Sequence, residues 1–419
     1  MSLKQNLLSV TCLGFALIVG NGEAFAQEQP ANEAKVNDKK AQEYNPKGVN
    51  LGAFTLFPKV VVEEKYNSNI YKEQSGKESD WITDIEPSLS LRSGWSRHML
   101  RLDAKSNIGR YADNNDDNYE DYELRARGRL DASNALSFSG DLQYANGHEE
   151  RGGDDVGANA AAPVETNTVF TELGMKFKPN RWGLELKGEY DLYDVDDNRT
   201  LNGAISNNDD RDRKDAKATV RVGYEFQKGY EAYVKAVLND RDYDDRVDDN
   251  NFNRDSDGYN AQAGLAVDLS KLLRADFGLG YMEQDYADGA LQDVSGWSGD
   301  VRLSYFVTPL SAIRATVVRS IDETTDSGSS AAVGTRYGIG VDHDLLRNLR
   351  LSGDVAFAQS DYEGSQREDD KLTISAQVDY KLNRNFFAGA MVEYEERDSN
   401  QNINDYDRNI YMIKLGAQF

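Results

Sequence analysis

The sequence predicts an all-β fold, a transmembrane antiparallel β-barrel of about eighteen strands, within a range of roughly sixteen to twenty. Three observations carry this expectation. From Leu51 onward, apolar and polar residues alternate in segment after segment, the period of a strand with one apolar face. Short turns alternate with long, acidic connections, as in barrels with short periplasmic turns and longer outer loops. The last strand keeps its apolar face (Tyr411, Ile413, Leu415, Ala417) to the terminal aromatic Phe419, which falls where a membrane barrel carries its interfacial girdle.

Residues 1–26 read as a signal peptide. Lys4 supplies the positive start, Leu7–Gly20 is too short an apolar run to span a bilayer, and Ala24-Phe25-Ala26 is a cleavage site. The lone Cys12 lies within that run with no lipobox before it, so no cysteine is expected for a disulfide, a thiolate metal site or a nucleophile. Residues 27–50 are polar, charged and aperiodic, and read as a flexible periplasmic leader or a docking segment for a partner. Residues 51–419 are the barrel, with strands expected to begin near 54, 79, 98, 118, 134, 167, 182, 212, 230, 255, 273, 294, 311, 332, 348, 369, 385 and 405.

The faces separate cleanly in several strands. Leu100, Leu102, Ala104 and Ile108 oppose Arg101, Asp103, Lys105 and Asn107. Leu372, Ile374, Ala376 and Val378 oppose Lys371, Thr373, Ser375 and Gln377. No apolar run beyond the signal would make a transmembrane helix, and alternation reconciles a mean hydropathy of −0.70 with membrane residence. A net charge of −24 excludes a general nucleic-acid binder, which needs basic surface for phosphate.

The polar faces carry the candidate functional residues. Lys105, Arg125, Arg127, Arg129, Lys187, Arg221, Lys235, Arg302, Lys371 and Lys414, with Lys217 and Arg336, are expected to line the lumen. They serve either as cross-strand charge ladders that stiffen a wide barrel or as a polar track for a hydrated, anionic solute. Arg125, Arg127 and Arg129 form the most concentrated positive stripe. The glycine- and alanine-rich loop between Glu149 and Thr166 is the one expected to narrow the lumen. Tyr66, Tyr111, Tyr193, Tyr243, Tyr286 and Tyr362, near loop edges, read as outer-girdle residues.

No catalytic residue, metal site or cofactor is expected. His98, His148 and His343 are far apart in sequence, and no nucleophile elbow, zinc-protease or phosphate-loop motif occurs. Asp255-Ser256-Asp257-Gly258 has the look of a calcium loop without its closing glutamate, so it reads as a solvated surface loop.

Several segments together resemble the putative β-barrel porin type 2 family of outer-membrane proteins. They include Gly52-Ala53-Phe54, Tyr66-Asn67-Ser68-Asn69-Ile70-Tyr71, Leu91-Arg92-Ser93-Gly94-Trp95-Ser96-Arg97-His98 and Tyr119-Glu120-Asp121-Tyr122. Asn253-Arg254-Asp255-Ser256-Asp257-Gly258-Tyr259, Leu345-Leu346-Arg347-Asn348-Leu349 and Tyr406-Asp407-Arg408-Asn409 complete the set. None is a catalytic signature, so no functional residue carries over. The resemblance implies a Gram-negative outer-membrane channel, and members similar to this chain accompany exopolysaccharide or capsule export. It therefore implies a passive conduit for secreted polymer beside a periplasmic polysaccharide-export protein. A general diffusion porin for small hydrophilic solutes and a structural or adhesive surface barrel are the alternatives. Outer-membrane lipids, lipopolysaccharide and the barrel-assembly machinery are the expected partners.

Overall fold

The computed structural model describes residues 42–419 apart from 154, 155, 158, 270, 271 and 325–327, so the signal segment and most of the leader lie outside the described residues. The wall begins with β1 (Phe54–Asn67), β2 (Asp80–Ser93), β3 (Met99–Tyr111), β4 (Tyr119–Asp131), β5 (Leu136–Glu149) and β6 (Val164–Phe177). It continues with β7 (Trp182–Val195), β8 (Arg213–Gln227), β9 (Tyr230–Tyr243), β10 (Ser256–Leu269), β11 (Leu273–Tyr286) and β12 (Val294–Thr308). It ends with β13 (Ser311–Glu323), β14 (Ala331–Leu346), β15 (Leu349–Glu363), β16 (Glu368–Lys381), β17 (Phe386–Ser399) and β18 (Tyr406–Gln418).

Each strand pairs antiparallel with its neighbours in sequence, and β18 returns to β1 with Lys59 opposite Gln418 and Asn67 opposite Ile410. The sheet thus closes on itself and leaves no long free edge. Large apolar side chains remain open on one face, among them Leu173 at 67%, Leu279 at 66% and Leu415 at 68%. Such a band is costly in water and is what a lipid-facing wall requires. Directly opposed residues share a face, so the register carries the charged face around the barrel: Glu63 lies opposite both Asp84 and Lys414.

The outward aromatics form the girdles. Tyr66 packs on Trp81 and Tyr411 at ring-centroid distances of 5.3 and 6.4 Å. Of the tyrosines assigned to this belt by position, the other five are not in it. Tyr111, Tyr243 and Tyr286 are buried on the inward face. Tyr193 shares that face with Arg213, whose guanidinium lies 4.4 Å from its ring, and Tyr362 lies under Arg367 at 4.3 Å. Nearness to a loop fixes height in the membrane, whereas parity along the strand fixes the face.

At the periplasmic rim, Val49–Leu51 forms a short strand against Phe54–Leu56. Gly52, at φ +66°, makes the tight turn between them. This strand occupies the edge of β1 just beyond the end of β18, where Phe419 N–H donates to Pro58 O at 3.1 Å. No helix among the described residues is long and apolar enough to cross a membrane.

Candidate functional site

Every lumen candidate read from the sequence lies on the inward face and has a carboxylate partner. Lys105 reaches Glu86 at 3.7 Å. Arg125 pairs with Asp141 at 2.5 Å, Arg127 with Asp103 at 3.0 Å and Arg129 with Asp131 at 3.2 Å. The expected positive stripe on β4 is therefore neutralised by carboxylates of β3, β5 and its own end. Lys187 pairs with Glu172 at 2.8 Å. Arg221, Lys235 and Arg302 come together around Asp276 and Asp300. Arg221 is 3.3 Å from Asp276, and Lys235 and Arg302 are 3.7 and 3.0 Å from Asp300. Lys371 meets the buried Glu395 at 3.3 Å, and Lys414 meets Asp379 at 3.0 Å. Cross-strand pairs of this kind fix neighbouring strands and leave little unbalanced charge.

Two hairpins depart from the wall. β4 and β5 pair only as far as Tyr122 opposite Asn146, whereas β5 and β6 remain paired up to Glu149 opposite Val164. Above that split, the β5–β6 tip turns into the mouth. His148 lies on the face that is outward lower in β5, yet it meets the inward Asp121 at 2.9 Å and stacks on Tyr119 at 4.0 Å. Glu150 then reaches across to Lys72 at 3.0 Å and to Arg408 of β18 at 3.1 Å. Arg151 pairs with Asp117, donates to Tyr71 Oη at 2.5 Å and lies 4.1 Å over that ring.

The second departure repeats the first. β12 and β13 pair only up to Gly299 opposite Arg319, whereas β13 and β14 continue to Glu323 opposite Ala331. Glu323 pairs with Arg241 and accepts from Tyr243 Oη at 2.9 Å and Tyr286 Oη at 3.4 Å, all three from inward faces. Beneath it Met282, Tyr286, Leu291, Val294, Ala331 and Val333 form an apolar cluster. Arg254, 1% exposed, pairs with Asp248 at 2.6 Å and donates to Thr324 O and, at 3.1 Å, to Ser329 O. The first hairpin is anchored toward β18 and β1, the second on β9–β11, on opposite sides of the ring. Sequence reading singled out the loop of the first hairpin but not the second hairpin, which has no unusual length or composition. Its signal was the apolar Ile321 and Val333 continuing above the membrane band.

Charge supports the first anchor. The Glu150 side chain keeps 39% of its surface accessible. Its surroundings oppose ionisation by burial, but Lys72 and Arg408 prevail and hold the carboxyl well below the usual range. Tyr71 is pushed up to about 12, first by burial and then by Asp117. In the loop between β7 and β8, burial, with Asp194, Asp209 and Asp244 nearby, raises Asp212 to about 6, although it accepts from Val195 N–H at 2.7 Å. A carboxyl raised in the folded state binds a proton there that the unfolded chain lacks. Stability therefore rises as pH falls through about 6, and the gain is complete below the ordinary value near 3.8. Hydrogen exchange at Val195, corrected for its intrinsic rate, should slow between pH 7 and pH 5 in the wild type and lose that trend in Asp212→Asn.

The histidines stay apart. His98 Nδ1 accepts from Asp131 N–H at 3.2 Å, and His343 Nδ1 lies 2.8 Å from Ser311 Oγ. Among the described residues no carboxylate is seen to orient the other ring nitrogen of this Ser–His pair, as an activated serine needs. Asp255 is occupied in the β9–β10 loop, accepting from Tyr243 N–H at 2.9 Å. Among the described residues no group of three or more histidine, cysteine or carboxylate side chains is placed to hold a metal ion.

Solved structures of other proteins are similar to the chain at low identity. OccK3 (OpdO) of Pseudomonas aeruginosa is 14% identical over 87% of this chain and 95% of its own, with a TM-score of 0.43. The BenF-like porin of Pseudomonas fluorescens Pf-5 is 12% identical over 87% and 99%, with a TM-score of 0.44. The ferric citrate transporter FecA is 10% identical over 90% and 79%, with a TM-score of 0.48. No curated protein matches the chain. The family model described as Putative beta-barrel porin 2 matches residues 42–419. From Gln42 to Phe419, the chain belongs to that family of outer-membrane β-barrel porins.

Proposed function

We propose that the protein is a passive diffusion channel for small hydrophilic solutes, with its selectivity set at the two inward hairpins. The carrying observation is their placement. Glu150 and Glu323 anchor them from opposite sides of the mouth, and the ladder below pairs its cations with carboxylates. A charge-balanced, water-facing wall with a narrowed entrance sorts solutes by size and hydrogen bonding more than by a strong charge preference. Hairpins held across the mouth weigh against an exopolysaccharide, the cargo implied by the family resemblance. That geometry makes small solutes the favoured cargo.

Liposomes reconstituted with the protein test this reading. Swelling in monosaccharides should be fast and should fall steeply for tetrasaccharides and longer oligomers. Equal swelling rates across that series would overturn it. Deleting the gene separates the two cargoes: loss of secreted polymer with normal sugar uptake would establish the export role instead.

A further inference from the structure

On the lipid-facing wall, Arg319 is a cation for which no ion-pair partner is found among the described residues. Arg319 is level with Gly299 on the outward face, at the upper limit of the apolar band. Below it on the same face are Val317, Ala315 and Ile313. Its Nη1 donates to Thr335 Oγ1 at 2.5 Å, and its Nε is buried without a partner. Among the described residues it has no carboxylate in ion-pair reach. The outward Arg110, by contrast, pairs with Glu120. An arginine on a lipid face is unfavourable by an amount that grows with depth, unless an anion meets it.

An apolar groove opens directly beneath this guanidinium. Its volume is about 490 Å³, and its lining includes Ala263, Gly299, Phe277, Leu279, Trp297 and Val317. Gly299 matters to the shape, because a Cβ there would come 3.1 Å from Trp297 Cζ3. The indole thus lies across the glycine and places its ring 4.8 Å from the Arg319 guanidinium. A cation on an aromatic plane keeps its outer edge open for an oxyanion.

We propose that this groove is a binding site for lipopolysaccharide, with an acyl chain along the groove and a lipid A phosphate on Arg319. Charge complementarity and position select this occupant. Arg319 lies toward the long-loop end of β13, in the leaflet facing outward, and two oxygens of a phosphate can accept from the planar guanidinium at once. The site is independent of what passes through the lumen.

Purified barrel, stripped of lipid in detergent, is titrated with diphosphoryl lipid A, its phosphate-free form and phosphatidylglycerol, with binding read by native mass spectrometry. Wild type should bind diphosphoryl lipid A about tenfold more tightly than either other lipid, and Arg319→Gln should abolish that preference. Heat-modifiable gel migration establishes that each variant is folded. If Arg319→Gln does not fold, Trp297→Leu serves, and it should weaken diphosphoryl lipid A binding with retained migration. Undiminished binding by a folded variant overturns the proposal, and so does equal affinity of the wild type for phosphatidylglycerol.

Discussion

Arg254→Ala should raise single-channel conductance in planar bilayers and destabilise the barrel by about 3–5 kcal/mol, the usual consequence of breaking a buried ion pair from one side. Arg254 and Asp248 are both about 1% exposed, so the variant leaves a carboxylate enclosed with no cation. Its guanidinium also holds the carbonyls of Thr324 and Ser329. Without it the β13–β14 tip loses that clamp, while the Glu323 contacts with Arg241, Tyr243 and Tyr286 remain. Conductance reads the freed tip, and a denaturant titration followed by gel migration reads the stability. Lower stability with unchanged conductance would show that this hairpin does not narrow the path.

Arg408→Met should act on the opposite anchor. Arg408 is 3.0 Å from Glu395 and 3.1 Å from Glu150, and Glu395 is 1% exposed. Methionine retains much of the length but none of the charge, so Glu395 keeps only Lys371 and the Tyr406 hydroxyl at 2.8 Å. A loss of about 3–5 kcal/mol is again expected. The β5–β6 tip retains Lys72 and the Arg151–Asp117 pair, so conductance should become noisy rather than uniformly larger. Arg254→Ala combined with Arg408→Met should admit oligosaccharides that the wild type rejects, checked by the same liposome swelling. Continued rejection would place the size filter elsewhere.

The wall was legible in the sequence because a barrel strand must repeat its two-residue period wherever lipid and water meet it from opposite sides. The expected strand starts at 182, 230, 273, 294 and 311 coincide with β7, β9, β11, β12 and β13. The inward placement of Arg125 or Lys414 followed from the same parity. Partners did not follow, because Lys235 meets Asp300 three strands away, and such pairing depends on register and tilt together. The hairpins were least legible. Above Asn146 and Arg319 the alternation continues, but the strand has left its earlier neighbour, and its formerly outward face turns inward. Parity alone therefore assigns His148 and Glu323 to the wrong side. The five tyrosines other than Tyr66 fail for the complementary reason, since their height is right and their face is not.

The short strand Val49–Leu51 bears on how the ring acquires its size. It fills the stretch of β1 edge immediately past Phe419. In the closed cylinder that edge is taken, so β18 has no free β1 edge to pair with further toward the periplasm. The stagger between first and last strands sets both strand inclination and circumference for a fixed number of strands. Any slide of β18 toward the periplasm, and with it any change of stagger, would therefore have to displace Val49–Leu51.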